Sequence, residues 1–172
     1  MANIRPAQPK DAKAIARVYV ETWRNTYAGL LPDSILVKMS LERQRASWSR
    51  TLVAGNQIVV LEHDGGVVGF GSCGRNKLRR LDYTGEIYTL YVLPDFHGRG
   101  LGRKLIVALF DALIGGDHDS ALLWVLVTNP SRFFYEAMGG RRIAERDEKI
   151  FGHRLHEVAY GWRPLAPLFS PE

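Results

Sequence analysis

Residues 93–104 read Leu-Pro-Asp-Phe-His-Gly-Arg-Gly-Leu-Gly-Arg-Lys, alternating Gly98, Gly100 and Gly102 with a cluster of cationic side chains. The run follows an apolar stretch, 87–93, and leads into Leu105, Ile106, Leu109, Phe110 and Leu113, which recur at helical spacing. That context predicts a strand, a glycine-rich loop and the start of a helix. Glycines let backbone approach a ligand with no Cβ in the way. A helix start offers unpaired N–H groups and the positive end of its dipole to an anion. Arg99, Arg103 and Lys104 add charge of the same sign. The chemistry these residues suit is binding of phosphate or pyrophosphate. The spacing lacks the last interval of the dinucleotide fingerprint G-x-G-x-x-G. A P-loop needs Ser or Thr after its lysine, whereas Lys104 is followed by Leu105.

The run resembles the acyl-CoA pyrophosphate loop of the GNAT superfamily of N-acetyltransferases, whose pattern is Q/R-x-x-G-x-G/A. Here it reads His97-Gly98-Arg99-Gly100-Leu101-Gly102, with His97 where Gln or Arg is usual. A second segment, Asn129-Pro130-Ser131-Arg132-Phe133-Phe134-Tyr135-Glu136, is similar to the family's N-x-x-A-x-x-F-Y-E and is one residue shorter between Asn and Tyr. The resemblance implies transfer of the acetyl group of acetyl-CoA to a primary amine by direct attack in a ternary complex. It implies cofactor contacts from Tyr91, Val92, His97, Gly98, Arg99, Gly100, Leu101, Gly102, Arg103, Lys104, Asn129 and Phe134. The acceptor is either a small-molecule amine or an amine of a protein or peptide. The alternative is a CoA-binding sensor or structural module of the same fold without turnover.

Such a transfer needs a proton acceptor for the amine, a donor for the carbonyl oxygen and a proton for the departing thiolate. Glu86 is the candidate base: it opens a strand otherwise filled by Ile87, Tyr88, Leu90, Tyr91, Val92 and Leu93. A carboxylate removed from water there would hold its proton more tightly and accept one more readily near neutrality. An exposed Glu at a strand end, or a water relay, is the competing reading. Tyr135 is the candidate acid. On a wheel advancing ~100° per residue it falls off the stripe formed by Phe133, Phe134, Ala137 and Met138, which favours a role at a site over plain packing. The family resemblance assigns it the same role, and implies a free backbone N–H near Val92 where two strands splay apart.

Trp23 and Tyr27, in the first helical pair, are either a wall of the acceptor groove or core anchors one turn apart. Tyr88 and Tyr91 lie on opposite faces of their strand, so at most one of them enters a pocket. Cys73, the sole cysteine, reads as a small buried residue, and direct attack requires no thiol nucleophile. His153-x-x-His156 and Asp117-His118-Asp119 lack further ligands at a recognisable spacing, so no metal is expected.

These residues must be carried by one domain spanning 1–172, with its core over about 3–163 and a short tail, 164–172, broken by Pro164, Pro167 and Pro171. The hydrophobic fraction of 46% and charged fraction of 24% are those of an ordinary globular chain. Apolar periodicity predicts the order β-αα-βββ-α-β-α-ββ, a mixed α/β chain. The resemblance implies a central twisted, mostly antiparallel sheet flanked by helices. The net charge of +5 suits an anionic cofactor. Dispersed basic residues argue against nucleic acid, and the absence of a long apolar run argues against a membrane span. With one cysteine and no apolar signal core at 1–6, a cytoplasmic location is expected. Strands near the C-terminus leave a homodimer open.

Overall fold

The computed structural model describes residues 1–165, so Pro167 and Pro171 lie outside the described residues. The chain forms β1 (Ala2–Pro6), α1 (Ala12–Tyr27), α2 (Asp33–Val37), α3 (Leu41–Val53), β2 (Gln57–His63), β3 (Gly66–Arg75) and β4 (Gly85–Val92). It continues through α4 (Leu101–Gly115), β5 (Ala121–Leu126), α5 (Arg132–Ala137), β6 (Arg141–Ile150) and β7 (His153–Trp162). The strands make one seven-stranded sheet in the order β1-β2-β3-β4-β5-β7-β6. This is the expected order, with the helical pair resolved into α1, α2 and α3. Two compact units share the chain, and β3, β4 and α4 each run through both.

The first unit comprises Met1–Ser72 and Thr89–Leu109. Its opening is set by charge. The Arg5 guanidinium, at the end of β1, reaches Asp11 at 2.8 Å and Glu62 of β2 at 2.7 Å. Asp11 also accepts the Gln8 N–H at 2.7 Å, which closes a turn of 3-10 helix at Pro9–Asp11 and launches α1. Ile15, Val18, Val60, Phe70, Val92 and Leu105 then form the centre of this unit's core. Ser40 caps α3 by accepting the Arg43 N–H, as a serine before a helix should. Around α2, Ile35 and Met39 are fully buried while Leu36 is only partly so. Five residues of α2 make little more than one turn, so tertiary contacts choose its buried side. The β2–β3 turn is Asp64-Gly65, both at positive φ, the backbone of a two-residue hairpin.

The second unit holds Cys73–Tyr88 and, among the described residues, 110–165. Its strand β5 pairs in parallel with the start of β4, Gly85–Ile87 against Ala121–Leu123, and antiparallel with β7 along its whole length. On one face of this sheet Val158, Tyr160 and Trp162 alternate with residues of the other face. Trp162 Nε1 donates to the Met138 carbonyl at 3.0 Å and Tyr160 donates to Glu136 at 2.7 Å, which seats α5 on that face. Gly140 permits the approach: a Cβ there would sit 2.7 Å from the Trp162 ring and 2.8 Å from the Tyr135 carbonyl.

The Arg5–Asp11 pair predicts a pH signature. Arg5 holds the Asp11 carboxyl below its ordinary range by a side-chain hydrogen bond, against the opposing effect of burial. That stabilisation is complete above the unfolded value of ~3.9 and is lost as pH falls through the lower folded value. Asp11→Asn should cost about 2 kcal/mol at pH 7 in urea unfolding. The difference from wild type should shrink as the pH is taken below 4.

Candidate active site

The glycine loop belongs to the first unit. A 3-10 turn, Pro94–Phe96, leads out of β4, and the His97 Nε2–H donates to the Val92 carbonyl at 2.7 Å. Gly98 and Gly100 both have φ +73, and a Cβ at either would meet nothing within 4 Å. The glycines therefore serve backbone conformation and an open surface, with no neighbour to avoid. Gly102 differs from this pattern: it lies inside the first turn of α4 and not in a left-handed position. Leu101, 5% exposed, pins the loop to the core, and the Lys104 N–H closes the first α4 turn on the Gly100 carbonyl at 3.2 Å. Arg99 is exposed with its guanidinium 5.0 Å from the Phe96 ring, and Arg103 and Lys104 are also exposed. The loop thus presents bare backbone, a helix start and cationic side chains on one surface, the requirements of a pyrophosphate cradle.

Aromatic residues fill the space beside it in the same unit. Trp23 and Tyr27 are buried, their rings 4.7 Å apart, and Trp23 Nε1 donates to the Tyr91 hydroxyl at 3.3 Å. Both therefore sit in a packed stack, the core-anchor arrangement of the two that their spacing allowed. Tyr91 is half-buried, edge-on to Tyr19 at 5.5 Å. On the unit's surface, Glu21, Arg24 and Asn25 of α1 face Leu93, Pro94 and Asp95 across an open cleft of about 430 Å³.

Glu86 lies in the second unit, only 9% exposed. Its Oε1 accepts the Lys77 N–H at 3.1 Å. Burial raises its pKa, opposed by that hydrogen bond and by the charges of Lys77 and Arg146, while Glu157 raises it further. Register puts Glu86, Trp124, Glu157 and Arg146 on one sheet face, since Glu86 pairs with Leu122, Leu126 with Glu157 and Glu157 with Arg146. Arg146 Nε bonds Glu157 at 3.0 Å and its guanidinium lies 4.0 Å from the Trp124 ring. Tyr88 shares that side, with its hydroxyl donating to the Arg75 carbonyl at 2.5 Å and the Lys77 ammonium 4.1 Å from its ring centre.

Tyr135 corrects the helical-wheel expectation. It is buried at 6%, whereas Phe133 is exposed at 65% and Ala137 is also exposed. The buried side of α5 is Tyr135 with Met138, and Tyr135 packs against Tyr160 at 6.2 Å and edge-on to Trp162 at 6.4 Å. Six residues of helix make the wheel a weak guide, because the Tyr160–Trp162 face selects which side docks. A position off the stripe is thus no support for its role. Tyr135 and Glu86 sit on opposite faces of the unit's sheet. Asn129 Oδ1 accepts the Ser131 N–H at 2.9 Å, so this side chain shapes the approach to α5, and Phe134 is half-buried beside Tyr135.

Comparison with known proteins identifies the family. The family model of the acetyltransferase (GNAT) domain matches residues 54–139. The uncharacterized N-acetyltransferase YuaI of Bacillus subtilis (strain 168) is 34% identical over 168 residues, covering 98% of this chain and 96% of that protein. This chain belongs to the GNAT family of N-acetyltransferases. The L-amino acid N-acyltransferase MnaT of Escherichia coli (strain K12) is 36% identical over 115 residues, covering 63% of this chain and 61% of that protein. The structure of yncA from Salmonella typhimurium, solved with its cofactor acetyl-CoA, superposes with a TM-score of 0.70. At 22% identity, covering 100% of this chain and 98% of that one, it shares the fold. The chain is therefore an acetyl-CoA-dependent acetyltransferase with the mixed α/β, mostly antiparallel architecture of its family. No helix among the described residues is long and apolar enough to cross a membrane.

Two further features of this acetyltransferase emerge from its neighbours. Glu157, 8% exposed, precedes the apolar run Val158, Ala159, Tyr160, the same sequence signal that singles out Glu86. Asn76 is buried in the connector between β3 and β4, and no spacing marks it in advance. Of the histidines, His156 is engaged with Asp147 at 2.9 Å. Cys73 is 3% exposed and burial pushes its thiol up to about 11. Its thiolate fraction at pH 8 should be about a hundredfold below that of an exposed cysteine. Alkylation of the native protein by iodoacetamide should therefore be slower by at least that ratio than in urea, as followed by mass spectrometry.

Proposed function

We propose that this enzyme transfers the acetyl group of acetyl-CoA to a primary amine by direct attack in a ternary complex, with Glu86 as general base and Tyr135 as general acid. The observation that carries the reading is Glu86: a carboxylate at a strand start, nearly out of water, with its pKa raised by burial. Such a group accepts a proton from an incoming ammonium more readily than an exposed one. The free amine attacks the thioester carbonyl carbon, a C–N bond forms, and the C–S bond breaks. Tyr135 supplies the proton that converts the departing thiolate to the CoA thiol. An N–H near Val92 stabilises the carbonyl oxygen as charge develops on it.

The cofactor's pyrophosphate is read here as lying on the loop from His97 to Gly102, with Arg99, Arg103 and Lys104 supplying charge and Tyr91, Asn129 and Phe134 further contacts. The chain acts as one catalytic domain in this reading, in keeping with a family match that spans segments of both units. The acceptor is a small-molecule amine or an amine of a protein or peptide, with Tyr88 a candidate contact to it. The likeness to MnaT, named for L-amino acids, puts amino acids first among acceptors to screen.

Gly100→Val tests the cofactor loop. A side chain at φ +73 costs about 1–2 kcal/mol of strain, and its Cβ meets nothing in the protein itself. The melting temperature should fall modestly while acetyl-CoA affinity, by calorimetry, falls at least tenfold. Equal losses would assign Gly100 to the fold.

The proton-transfer roles separate in pH–rate profiles on one identified acceptor. Glu86→Gln should lose about 10²–10⁴-fold near neutrality and recover as rising pH supplies free amine. Tyr135→Phe should lower kcat with little change in acetyl-CoA affinity and should not recover in alkali, where a thiolate is protonated less readily. Full activity of Glu86→Gln at every pH would remove the base assignment, and alkaline rescue of Tyr135→Phe would remove the acid.

A further inference from the structure

The connector between β3 and β4 is organised by one buried side chain. Asn76 is 7% exposed, and both ends of its amide are engaged. Nδ2 donates to the carbonyls of Leu78 at 3.2 Å, Leu81 at 3.2 Å and Tyr83 at 2.8 Å. Oδ1 accepts the Leu78 N–H at 2.9 Å, and the Asn76 N–H itself donates to the Thr84 carbonyl at 2.9 Å. An amide nitrogen has two hydrogens, so one is shared among the three carbonyls. The side chain thus satisfies the backbone of a segment that has no helix or strand of its own. Lys77 is the next residue. Its backbone N–H points at Glu86 Oε1, 3.1 Å away, while its ammonium is drawn off to the Tyr88 ring at 4.1 Å.

We propose that Asn76 is a positioning residue for Glu86, closing the connector so that the Lys77 N–H holds the carboxylate in one orientation. The inference rests on the reading of Glu86 as the base. Here the donor and the carboxylate lie on separate segments, and the knot around Asn76 is what brings the Lys77 peptide to the head of β4.

The arrangement sets the protonation of Glu86 as well as its direction. The groups facing it are the Lys77 N–H and ammonium from the connector, Tyr88 from its own strand, Arg146 from β6 and Glu157 from β7. A donated hydrogen bond favours the ionised form, opposing burial and the Glu157 charge. Without Asn76 the connector relaxes, the bond is lost, and Glu86 keeps its proton to higher pH.

The test is the pH dependence of kcat/KM for wild type, Asn76→Ala and Glu86→Gln, with acetyl-CoA KM and melting temperature measured alongside. Asn76→Ala should move the acid limb up by about one pH unit and lower kcat, leaving acetyl-CoA KM unchanged. A folded Asn76→Ala whose melting temperature drops while its acid limb stays at the wild-type position overturns the proposal. An acid limb that survives unchanged in Glu86→Gln would instead overturn the base assignment, a separate failure. Should Asn76→Ala not fold, the Lys77 amide proton of the wild type decides by NMR. Its shift should titrate with the same midpoint as the acid limb, and a flat response counts against the proposal.

Discussion

A carboxylate resists leaving water, and the burial of Glu86 at the head of β4 is offset by the Lys77 N–H, with the charges of Arg146 and Lys77 near enough to be felt. Much of the second unit is arranged around that constraint. β4 must begin at Gly85, where a Cβ would come 2.9 Å from the Ser120 carbonyl, so that its first residues can pair in parallel with β5. The β5–β7–β6 sheet carries Glu157 and Arg146 on the face that Glu86 shares. Burial and the Glu157 charge favour the protonated form of Glu86, and the nearby cations and the Lys77 N–H oppose them.

The same sheet divides labour between its faces. One carries the charged cluster around Glu86. The other is aromatic, and there Tyr160 and Trp162 dock α5 through a hydroxyl and an indole N–H. Tyr135 rides on that docked helix.

In the first unit the dominant demand is conformational. Gly98 and Gly100 adopt a backbone that other residues enter only with strain, and they do so in open space. The charge network of Arg5, Asp11 and Glu62 plays the corresponding part at the chain's start, tying β1, β2 and the approach to α1 before any apolar contact is counted.

The sequence by itself determined the elements and the glycine loop, because both depend on local rules. Alternation and helical spacing locate strands and long helices, and glycine, serine and proline mark turns and caps within a few residues of their effect. Glu86 was legible for the same reason: a charged residue in an apolar strand is an anomaly without any structure. Tertiary structure decided what short segments bury. In α5 it chose Tyr135 over Phe133, and in α2 it chose Ile35 over Leu36, since a helix of one or two turns has too little periodicity to select its own inner face. It also decided the partners. Asn76 closing a loop, the Lys77 N–H meeting Glu86, and Arg146 bridging to Glu157 all join residues whose proximity exists only once the strands have paired.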